Sequence, residues 1–552
     1  MALSWVAYTC IAILLASVYI RKRLSNHTSQ LERDAQAEKP GRPRLNDGLT
    51  ASARQLRGRL VATIPHITIT PDKALEFEKS LNAYWDQKAR EVQPSCVLRP
   101  RNVWELAQAV KILRQEFDRR VQRSGDSKDD LEPGFAVRGG GHSPVGGASS
   151  IQGGVLIDLS LFDKVVLAED KKSVGIGAGC RWIDVYAALE RDGLAVVGGR
   201  NSAVGVAGLT LGGGLSFFSP RYGFVCSNVV EYEVILADGS VVTADQHNNS
   251  DLWRALKGGG NNFGIVTRFT VRTFPCTNVW SGFVYYSSWK HPEILSAFHS
   301  FVARTTSGEA NRSFDPHATG PLVCFTYLQS YGIQGIAVNL VHTSPDPKVK
   351  GWPSTWLSSG FKSTFRFWST CKVWTLSEAT DELNALNPPQ RRQEFATTTI
   401  QNDLETLTVT RAAYVNAIQK IRQHNIKGMT WTLVLQPLLP TWTCKGDANL
   451  MGLDDKDREA LVIVSFTVNW ALGKDDEVVQ DITRAAIEQI DAYALKRGTQ
   501  HKYRYMNYCA KWQNPFDGYG DENLKSLHRV RREVDPEGLF QRGCIGGFKL
   551  GM

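Results

Sequence analysis

The sequence of 552 residues lacks the short motifs of several large enzyme classes. It contains no Gly-x-x-x-x-Gly-Lys-Ser/Thr phosphate-binding loop, no His-Glu-x-x-His zinc motif and no Gly-x-Ser-x-Gly nucleophile turn. Its ten cysteines are scattered singly, without a close pair at the spacing of metal ligands. The chemistry of P-loop hydrolases, zinc proteases and serine hydrolases therefore has no signature here.

The charge of the chain lacks the clustering that nucleic-acid binding requires. Lysine and arginine number 64 against 55 acidic residues, a formal net charge of +9, yet the basic residues are dispersed and no recognition motif accompanies them. The 15 tryptophans are also spread through the chain instead of alternating with basic residues. We therefore expect a solvated basic surface and no nucleic-acid partner.

The overall composition is that of a globular protein, with 42% apolar and 22% charged residues. Its length exceeds one hydrophobic core and indicates two or three domains. Apolar residues recur at helical spacing from Val103 to Phe117, and Asp238-Gly239 lies between apolar flanks as in a β-hairpin. A further helix is expected to run from about Asp476 to a cap at Gly498.

The N-terminus carries one uncharged apolar run, residues 2–20, followed at once by Arg21-Lys22-Arg23. About 20 helical residues, each rising roughly 1.5 Å, span a hydrocarbon layer about 30 Å thick. Because the basic residues follow the run, a single-pass membrane anchor is favoured over a cleaved signal peptide, with a secreted protein as the alternative. The membrane is thus an expected partner.

The orientation across that membrane stays open. The basic cluster favours a cytoplasmic catalytic body. Three glycosylation sequons, at Asn26, Asn248 and Asn311, would be used only in a secretory lumen and favour a glycoprotein.

Two glycine-rich segments dominate the first half of the chain, residues 138–143 and 198–214. The first follows the apolar residues 135–137 and precedes a second apolar stretch at 154–159, so it is predicted to be a turn after a strand. Glycines at this density let backbone N–H groups close around an anion that bulkier loops would keep out. The segments therefore predict a diphosphate-binding site, with a histidine inside its first turn.

A specific resemblance rests on six segments in order: 138–143, 204–214, 253–260, 262–267, 505–508 and 535–540. On these residues the chain resembles the FAD-linked oxidases of the vanillyl-alcohol oxidase superfamily, and within it the berberine-bridge-enzyme-like group, in a fungal-type form. The resemblance implies an α+β fold, in which a two-part FAD-binding domain of the vanillyl-alcohol oxidase type carries an α+β substrate domain built on an antiparallel sheet.

The same reading divides the chain into five parts. They are an anchor or signal segment (1–23), a polar tether and N-terminal arm (24–92), the FAD-binding domain (93–275), the substrate domain (276–497) and a C-terminal segment that returns to the FAD domain (498–552).

FAD is the cofactor that the resemblance implies, attached covalently through His142. The alternative for this histidine is a hydrogen bond to a phosphate or to the ribityl chain. Asn201 stands where many members have a cysteine that forms a second link, so a single attachment is expected; Leu209 stands where plant members carry a histidine. The predicted cofactor-binding residues are Arg138, Gly139, Gly140, Gly141, His142, Ser143, Gly198, Ser202, Gly205, Gly208, Gly213, Gly264, Ile265 and Val266.

Tyr505 and Asn507 are the predicted catalytic residues, because in similar oxidases their segment lies on the substrate face of the flavin. A phenolate with a lowered pKa could take the hydroxyl proton of an alcohol as hydride leaves the carbon. A packing role is the alternative for Tyr505, and Asn507 is expected to bond the flavin ring or to orient Tyr505.

The expected activity is oxidation of a small-molecule alcohol or related secondary-metabolite intermediate, with hydride transfer to FAD and reoxidation by dioxygen to hydrogen peroxide. The alternatives are an oligosaccharide oxidase, a dehydrogenase with another electron acceptor, and a flavin scaffold for cyclisation or isomerisation without net oxidation. No motif identifies the substrate or the oligomeric state.

Overall fold

The computed structural model describes residues 48–124, 134–276, 278–303, 314–344, 351–454 and 459–552. The predictions made for residues 1–23, and the sequons at Asn26 and Asn311, lie outside the described residues. The sequon residue Asn248 is exposed, and its glycosylation stays a prediction. Helices packed with three sheets confirm the α+β class.

The first sheet has four strands: Thr68–Ile69 (β1), Cys96–Leu98 (β2), Phe135–Arg138 (β3) and Val155–Asp158 (β4). Their order is β1-β2-β4-β3, with β2, β4 and β3 parallel and β1 antiparallel at the edge. The helices of this region are Ala51–Thr63 (α1), Ala74–Leu81 (α2), Gln87–Glu91 (α3) and Val103–Ser124 (α4).

The long helix α4 confirms the helix predicted from apolar spacing. Leu106, Val110, Leu113 and Phe117 are all buried on one side of it. Since β2 and β3 belong to a parallel set, the chain must cross over between them, and α4 lies in that crossover.

The second sheet has six strands: Val165–Leu167 (β5), Ser173–Gly177 (β6), Leu194–Val196 (β7), Val229–Ile235 (β8), Val241–Asp245 (β9) and Ile265–Pro275 (β10). Their order is β5-β6-β10-β8-β9, with β7 also paired to β10, and every pairing is antiparallel. β8 and β9 form the predicted hairpin, whose turn contains Gly239 at φ 80°. The helices here are Trp182–Glu190 (α5), Val206–Leu211 (α6), Ser219–Tyr222 (α7) and Ser250–Ala255 (α8).

The third sheet is the largest, with the strands Val279–Ser287 (β11), Ala318–Leu328 (β12), Ile333–His342 (β13), Trp368–Ser369 (β14), Lys372–Trp374 (β15), Arg392–Gln401 (β16), Thr430–Leu438 (β17), Leu461–Trp470 (β18) and Gln500–His501 (β19). The order is β14-β11-β13-β12-β17-β18-β16-β19, with β15 paired to β11. All of these pairings are antiparallel, as expected for the substrate domain.

Helices accompany this sheet: His291–Ala303 (α9), Ser354–Leu357 (α10), Gly360–Ser363 (α11), Leu376–Ala385 (α12), Leu404–Gln423 (α13), Pro440–Thr443 (α14) and Asp476–Arg497 (α15), followed by Asp521–Val534 (α16). α15 packs against α13 and β16, and it ends at Gly498 with φ 76°, which confirms the predicted cap. On β12 and β17, Thr319 donates to the carbonyl of Phe217, and Gln436 accepts from Arg200 at 2.9 Å. The sheet therefore contacts the second glycine-rich segment.

The C-terminal segment packs on the loop after α8. The side chain of Asn262, which is fully buried, donates to the carbonyl of Phe548 at 3.0 Å and accepts from the N–H of Leu550 at 3.2 Å. Gln541 donates to the Asn262 carbonyl at 3.0 Å. These contacts support the proposed return of the chain to the FAD domain, whose boundaries stay predictions.

Residues 48–92 are packed structure where the sequence suggested part of a polar tether and arm. α1 buries Leu56 and Leu60, and Thr50 caps it by accepting from the N–H of Ala53 at 3.1 Å. The polar composition was misleading because a short helix needs only a few apolar residues on one face to pack against a core.

The prediction of a single-pass membrane protein with the membrane as partner requires correction. Across the described ranges, no helix combines the length and the apolar character needed to cross a bilayer. The longest ones, α4 and α15, carry many charged residues between their buried ones. The apolar run of residues 2–20, on which the prediction depended, lies outside the described residues.

A buried ion pair ties β3, β4 and α2 together. Arg138 donates to Asp158 at 2.6 Å and to the backbone carbonyl and hydroxyl of Ser80 at 2.6 and 2.7 Å, and its guanidinium lies 4.5 Å from the centre of the Tyr84 ring. Arg138 and Asp158 are each only 2% exposed, so neither charge has access to water in place of its partner.

We expect Asp158→Ala to lower the free energy of unfolding by about 3 kcal/mol, because it leaves the Arg138 charge buried without its counter-ion. Urea-induced unfolding would measure the loss, with the exposed Asp163→Ala as the matched control. Equal stability of the two variants would contradict a structural role for this pair.

Candidate active site

The two glycine-rich segments touch at Gly140 and Gly205. A Cβ atom added to Gly140 would lie 2.4 Å from the Cα of Gly205, and one added to Gly205 would lie 2.6 Å from the Cα of Gly140. Gly139 is also confined, since its Cβ would lie 2.9 Å from the carbonyl oxygen of Ala178. Only glycine permits backbones to approach this closely. The turn after β3 is thereby fixed against the loop that leads into α6.

An open face lies next to this contact. Gly208 on α6 is exposed, and no atom lies within 4 Å of the position that a Cβ would take there. The other side of α6 is buried through Val206, Thr210 and Leu211. The exposed Gly208 thus leaves space for a bound group beside the glycine contact, in contrast to the crowded Gly140 and Gly205.

His142 follows the turn and stacks on Trp85. The two ring centres are 4.3 Å apart and the planes differ by 11°. The Nε2 atom of His142 is buried without a hydrogen-bond partner among the described residues. Burial, reinforced by the charge of Arg181, lowers the pKa of His142 to about 3. The imidazole is therefore neutral at physiological pH, and one ring nitrogen is unused.

Trp85 is itself held by both halves of the protein. Its backbone N–H donates to the carbonyl of Gly141 at 3.0 Å, and its ring Nε1 donates to the carbonyl of Asn387 at 3.1 Å. The N-terminal arm thus orients the His142 ring. Sequence reasoning missed this contact, because Trp85 lies in no recognisable motif.

Other predicted cofactor residues have their side chains engaged within the protein. Arg138 is paired with Asp158, Ser202 donates to Asp381 at 2.9 Å, and the Ser143 hydroxyl accepts from the N–H of Val145 at 3.2 Å. Cofactor contacts of these residues stay predictions.

The remaining predicted glycines lie where a side chain would clash or would need an unfavourable backbone. A Cβ on Gly198 would lie 2.5 Å from the Trp182 ring, and one on Gly264 would lie 2.7 Å from the carbonyl of Ile235. Gly213 has φ 103°. Ile265 and Val266 are buried at the start of β10 and pair with β8. All of these positions have a packing role, and their predicted cofactor contacts stay predictions.

Tyr505 and Asn507 lie together at the end of α6. The Asn507 Nδ2 atom is 3.0 Å from both the Tyr505 Oη and the carbonyl oxygen of Leu209. A Cβ on Gly212 would lie 2.2 Å from the Asn507 Oδ1, so this glycine makes room for the amide. The geometry supports the prediction that Asn507 orients Tyr505.

The pKa of Tyr505 does not follow the expectation from sequence. Burial, with a smaller contribution from Tyr508, raises it well above the ordinary value, against the lowering effects of Asn507 and Arg200. The lowered pKa that we expected for this tyrosine is not found, and the neutral phenol is its resting form. The reason is that the phenol is 2% exposed, which sequence alone did not show.

A row of aromatic rings connects His142 with Tyr505. Trp85 lies 5.8 Å from Phe395, Phe395 lies 5.9 Å from Tyr508, and Tyr508 lies 4.8 Å from Tyr505, measured between ring centres. With the stacking of His142 on Trp85, the row runs from the glycine turn to Tyr505. It combines the N-terminal arm, β16 and the C-terminal segment, which are far apart in sequence.

A pocket opens beside this row, beneath β12 and β17. Arg200 lies at its edge and donates to the Gln436 Oε1 at 2.9 Å and to the Tyr508 Oη at 2.7 Å. The lining is otherwise mostly apolar: Leu215, Phe301, Leu322, Pro437, Leu439 and Trp442. Sequence reasoning missed Arg200 and Tyr508, although both adjoin motif residues that it had singled out.

Comparison with known proteins agrees with this geometry. Residues 94–245 match the family model of the FAD binding domain. The chain is 36% identical to the FAD-dependent monooxygenase tpcD of Cochliobolus heterostrophus, over 85% of this chain and 87% of that protein.

Solved structures show the same fold. The 6-hydroxy-D-nicotine oxidase of Arthrobacter nicotinovorans matches with a TM-score of 0.65 and 20% identity, over 86% of this chain and 96% of that one. Berberine bridge enzyme from Eschscholzia californica matches with a TM-score of 0.64 and 16% identity, over 90% and 100% of the two chains.

Fold and site together define an FAD-dependent oxidoreductase. The chain belongs to the family of the fungal FAD-dependent monooxygenases, and its fold is that of the vanillyl-alcohol-oxidase-type, berberine-bridge-enzyme-like flavoproteins. The expected family and enzyme class are confirmed.

We expect Gly140→Ala to reduce the FAD content of the purified protein at least about tenfold, because the new methyl group would separate the two glycine-rich segments. The flavin absorbance relative to protein would measure this. Gly146→Ala in the same loop is the matched control, since no atom lies within 4 Å of its Cβ position. Normal FAD content in both variants would show that the glycine contact does not form the cofactor site.

Proposed function

We propose that the protein is an oxidase that holds FAD covalently through His142 and oxidises a small secondary-metabolite alcohol or related intermediate. The observation that carries the proposal is the row of rings with a buried, neutral histidine at one end and the Tyr505–Asn507 pair at the other. The histidine suits attachment of the cofactor, and the Tyr505–Asn507 pair suits removal of the substrate's hydroxyl proton.

The residues present fit FAD. The unpartnered Nε2 of His142 is the atom that would bond the cofactor, and the backbone around Gly139, Gly140 and Gly205, with the open face at Gly208, would hold the diphosphate. When bound, FAD supplies an acceptor for a hydride from the substrate carbon, and dioxygen restores its oxidised state with release of hydrogen peroxide.

His142 is prepared for attachment by its surroundings. A protonated imidazole has no lone pair to share, and the low pKa removes that obstacle at any pH near neutrality. Trp85 fixes the plane of the ring, so Nε2 keeps one direction. Asn201 in place of a cysteine supports a single attachment.

Tyr505 is proposed to release its own proton to solvent and then, as the phenolate, to accept the substrate's hydroxyl proton. The Asn507 amide donates to its oxygen and favours the phenolate, while burial opposes it. Because the resting form is the neutral phenol, the rate of the reductive half-reaction is expected to rise with pH above neutrality.

Two rival activities make different demands on the pocket. An extended sugar would need a groove of exposed aromatic residues, whereas the pocket beneath β12 and β17 has a volume of about 30 Å³ and is lined mainly by aliphatic side chains with Phe301 and Trp442, which favours a compact apolar group. The similarity to the FAD-dependent monooxygenase tpcD supports a monooxygenase as a second candidate. An oxidase releases one hydrogen peroxide per product, while a monooxygenase places one atom of labelled dioxygen in the product.

We expect the denatured wild-type protein to show flavin fluorescence in an acidified SDS gel and His142→Ala to lose it, because the variant has no nucleophile at the end of the glycine turn. His291→Ala, a change at a histidine on α9, is the control and should keep the fluorescence. A fluorescent His142→Ala band would place the link elsewhere. Absence of fluorescence in every band, with a flavin spectrum in the native protein, would show noncovalent binding.

We expect Tyr505→Phe to slow flavin reduction by substrate at least about tenfold and to abolish the rise of the rate with pH, in line with the usual contribution of general base catalysis. Single-turnover absorbance would measure both. Tyr503→Phe is the matched control, because the Tyr503 hydroxyl is buried without a partner among the described residues and its loss removes no hydrogen bond. An unchanged rate in Tyr505→Phe would reject the assignment.

A further inference from the structure

Arg200 is a cation with neutral partners. Its guanidinium donates to an amide oxygen, that of Gln436, and to the phenol oxygen of Tyr508. Among the described residues no carboxylate lies within ion-pair distance of it, although many other arginines in the protein have one, such as Arg138, Arg392 and Arg504.

Arg200 has only partial access to water in place of a counter-ion. Arg200 is partly buried, and Gln436, its partner on β17, is 5% exposed. A charge that leaves water is stabilised chiefly by an opposite charge with good hydrogen-bond geometry. Two neutral acceptors occupy two of the five N–H groups of the guanidinium and leave three for a bound group.

The pocket places that charge in reach of a bound molecule. Arg200 lines it together with the apolar residues beneath β12 and β17, and Ser216, Ser219 and Thr319 add only neutral hydroxyl groups. No Asp, Glu or second basic side chain is among the lining residues in the described part of the chain. The pocket is thus an apolar space with one positive charge at its edge.

We propose that this pocket binds substrates bearing an acidic oxygen group, a carboxylate or an acidic enol, which pairs with Arg200. This inference rests on the proposed function, because it takes the pocket to be the substrate site. Carboxylate and enolate oxygens match the planar donor fork of a guanidinium, which binds such groups through two parallel hydrogen bonds. The cavity has a volume of about 30 Å³, so it takes the acidic group, and any larger remainder of the substrate lies outside it.

A purely structural role is the competing explanation. Arg200 joins the second glycine-rich segment to β17 and to the C-terminal segment through its two hydrogen bonds. A residue that only links these segments would need no ligand. The two roles respond oppositely to a carboxylate at position 436. Gln436→Glu keeps the side-chain shape and the hydrogen bond to Arg200 and adds a negative charge. If Arg200 only links the segments, this charge strengthens the link; if Arg200 binds an anion, the charge neutralises it and removes the binding.

The test is binding of small acids and their neutral amides to the purified FAD-loaded protein, measured by isothermal titration calorimetry. Acetate and benzoate are compared with acetamide and benzamide, in the wild type, Gln436→Glu, Arg200→Gln and Tyr508→Phe. We expect the wild type to prefer each acid that binds over its amide by at least about tenfold, since a charge-assisted pair exceeds a neutral one. Gln436→Glu and Arg200→Gln should lose this preference.

Tyr508→Phe is the control for a purely structural role of Arg200, because it removes one hydrogen bond of Arg200 and leaves the positive charge in place. It should retain the preference for acids. Equal binding of acid and amide by the wild type, no saturable binding of either acid, or an acid preference that survives in Gln436→Glu would each overturn the proposal.

The readout requires no turnover, so it is separable from the proposed oxidase activity. Acid binding lost with Arg200, in a protein that never consumes oxygen, would uphold this inference and reject the oxidase. Turnover of neutral substrates, without preferential binding of acids, would uphold the oxidase and reject this inference. Once a substrate is known, its free acid can be compared with its neutral ester in the same binding measurement.

Discussion

The structure depends on one close approach of two backbones, Gly140 against Gly205. The turn after β3 and the loop before α6 come from different sheets, and they meet without side chains between them. Because this contact fixes α6, it also fixes the carbonyl of Leu209, to which Asn507 donates, and hence the position of Tyr505. The lack of side chains at Gly140 and Gly205 therefore positions both His142 and Tyr505, the two ends of the proposed site.

Much of this framework could be predicted from sequence because it follows from local rules. Apolar spacing located α4, Asp238-Gly239 located the β8–β9 hairpin, and the glycine runs located the turns that touch. Each signal depends on neighbours within one helix or turn, where backbone geometry restricts the choice of residue. The resemblance to a family then supplied the architecture, which no local pattern specifies.

The rest of the site could not be predicted, because it depends on contacts between distant segments. Trp85 reaches His142 across 57 positions of sequence, from an arm whose polar composition suggested a loose tether. The pKa of Tyr505 depends on burial contributed by several elements, and a motif carries no information about burial. The membrane prediction depended on the composition of one terminal run, residues 2–20, which lies outside the described residues, and no described helix could cross a bilayer.

The electrostatics of the site suit discrimination among substrates. His142 and Tyr505 are uncharged at rest, so Arg200 supplies the one full charge of the three groups we assign to the site. An apolar wall separates molecules that differ by a methylene by only about 1–3 kcal/mol. A polar group that is built to be paired and is left unpaired discriminates far more strongly, because the wrong ligand must bury it without compensation. A pocket of this kind would therefore recognise shape weakly and acidity strongly. On the proposed role of Arg200, a change in the apolar wall would alter the carbon skeleton accepted, whereas loss of the positive charge would remove the preference for acidic molecules.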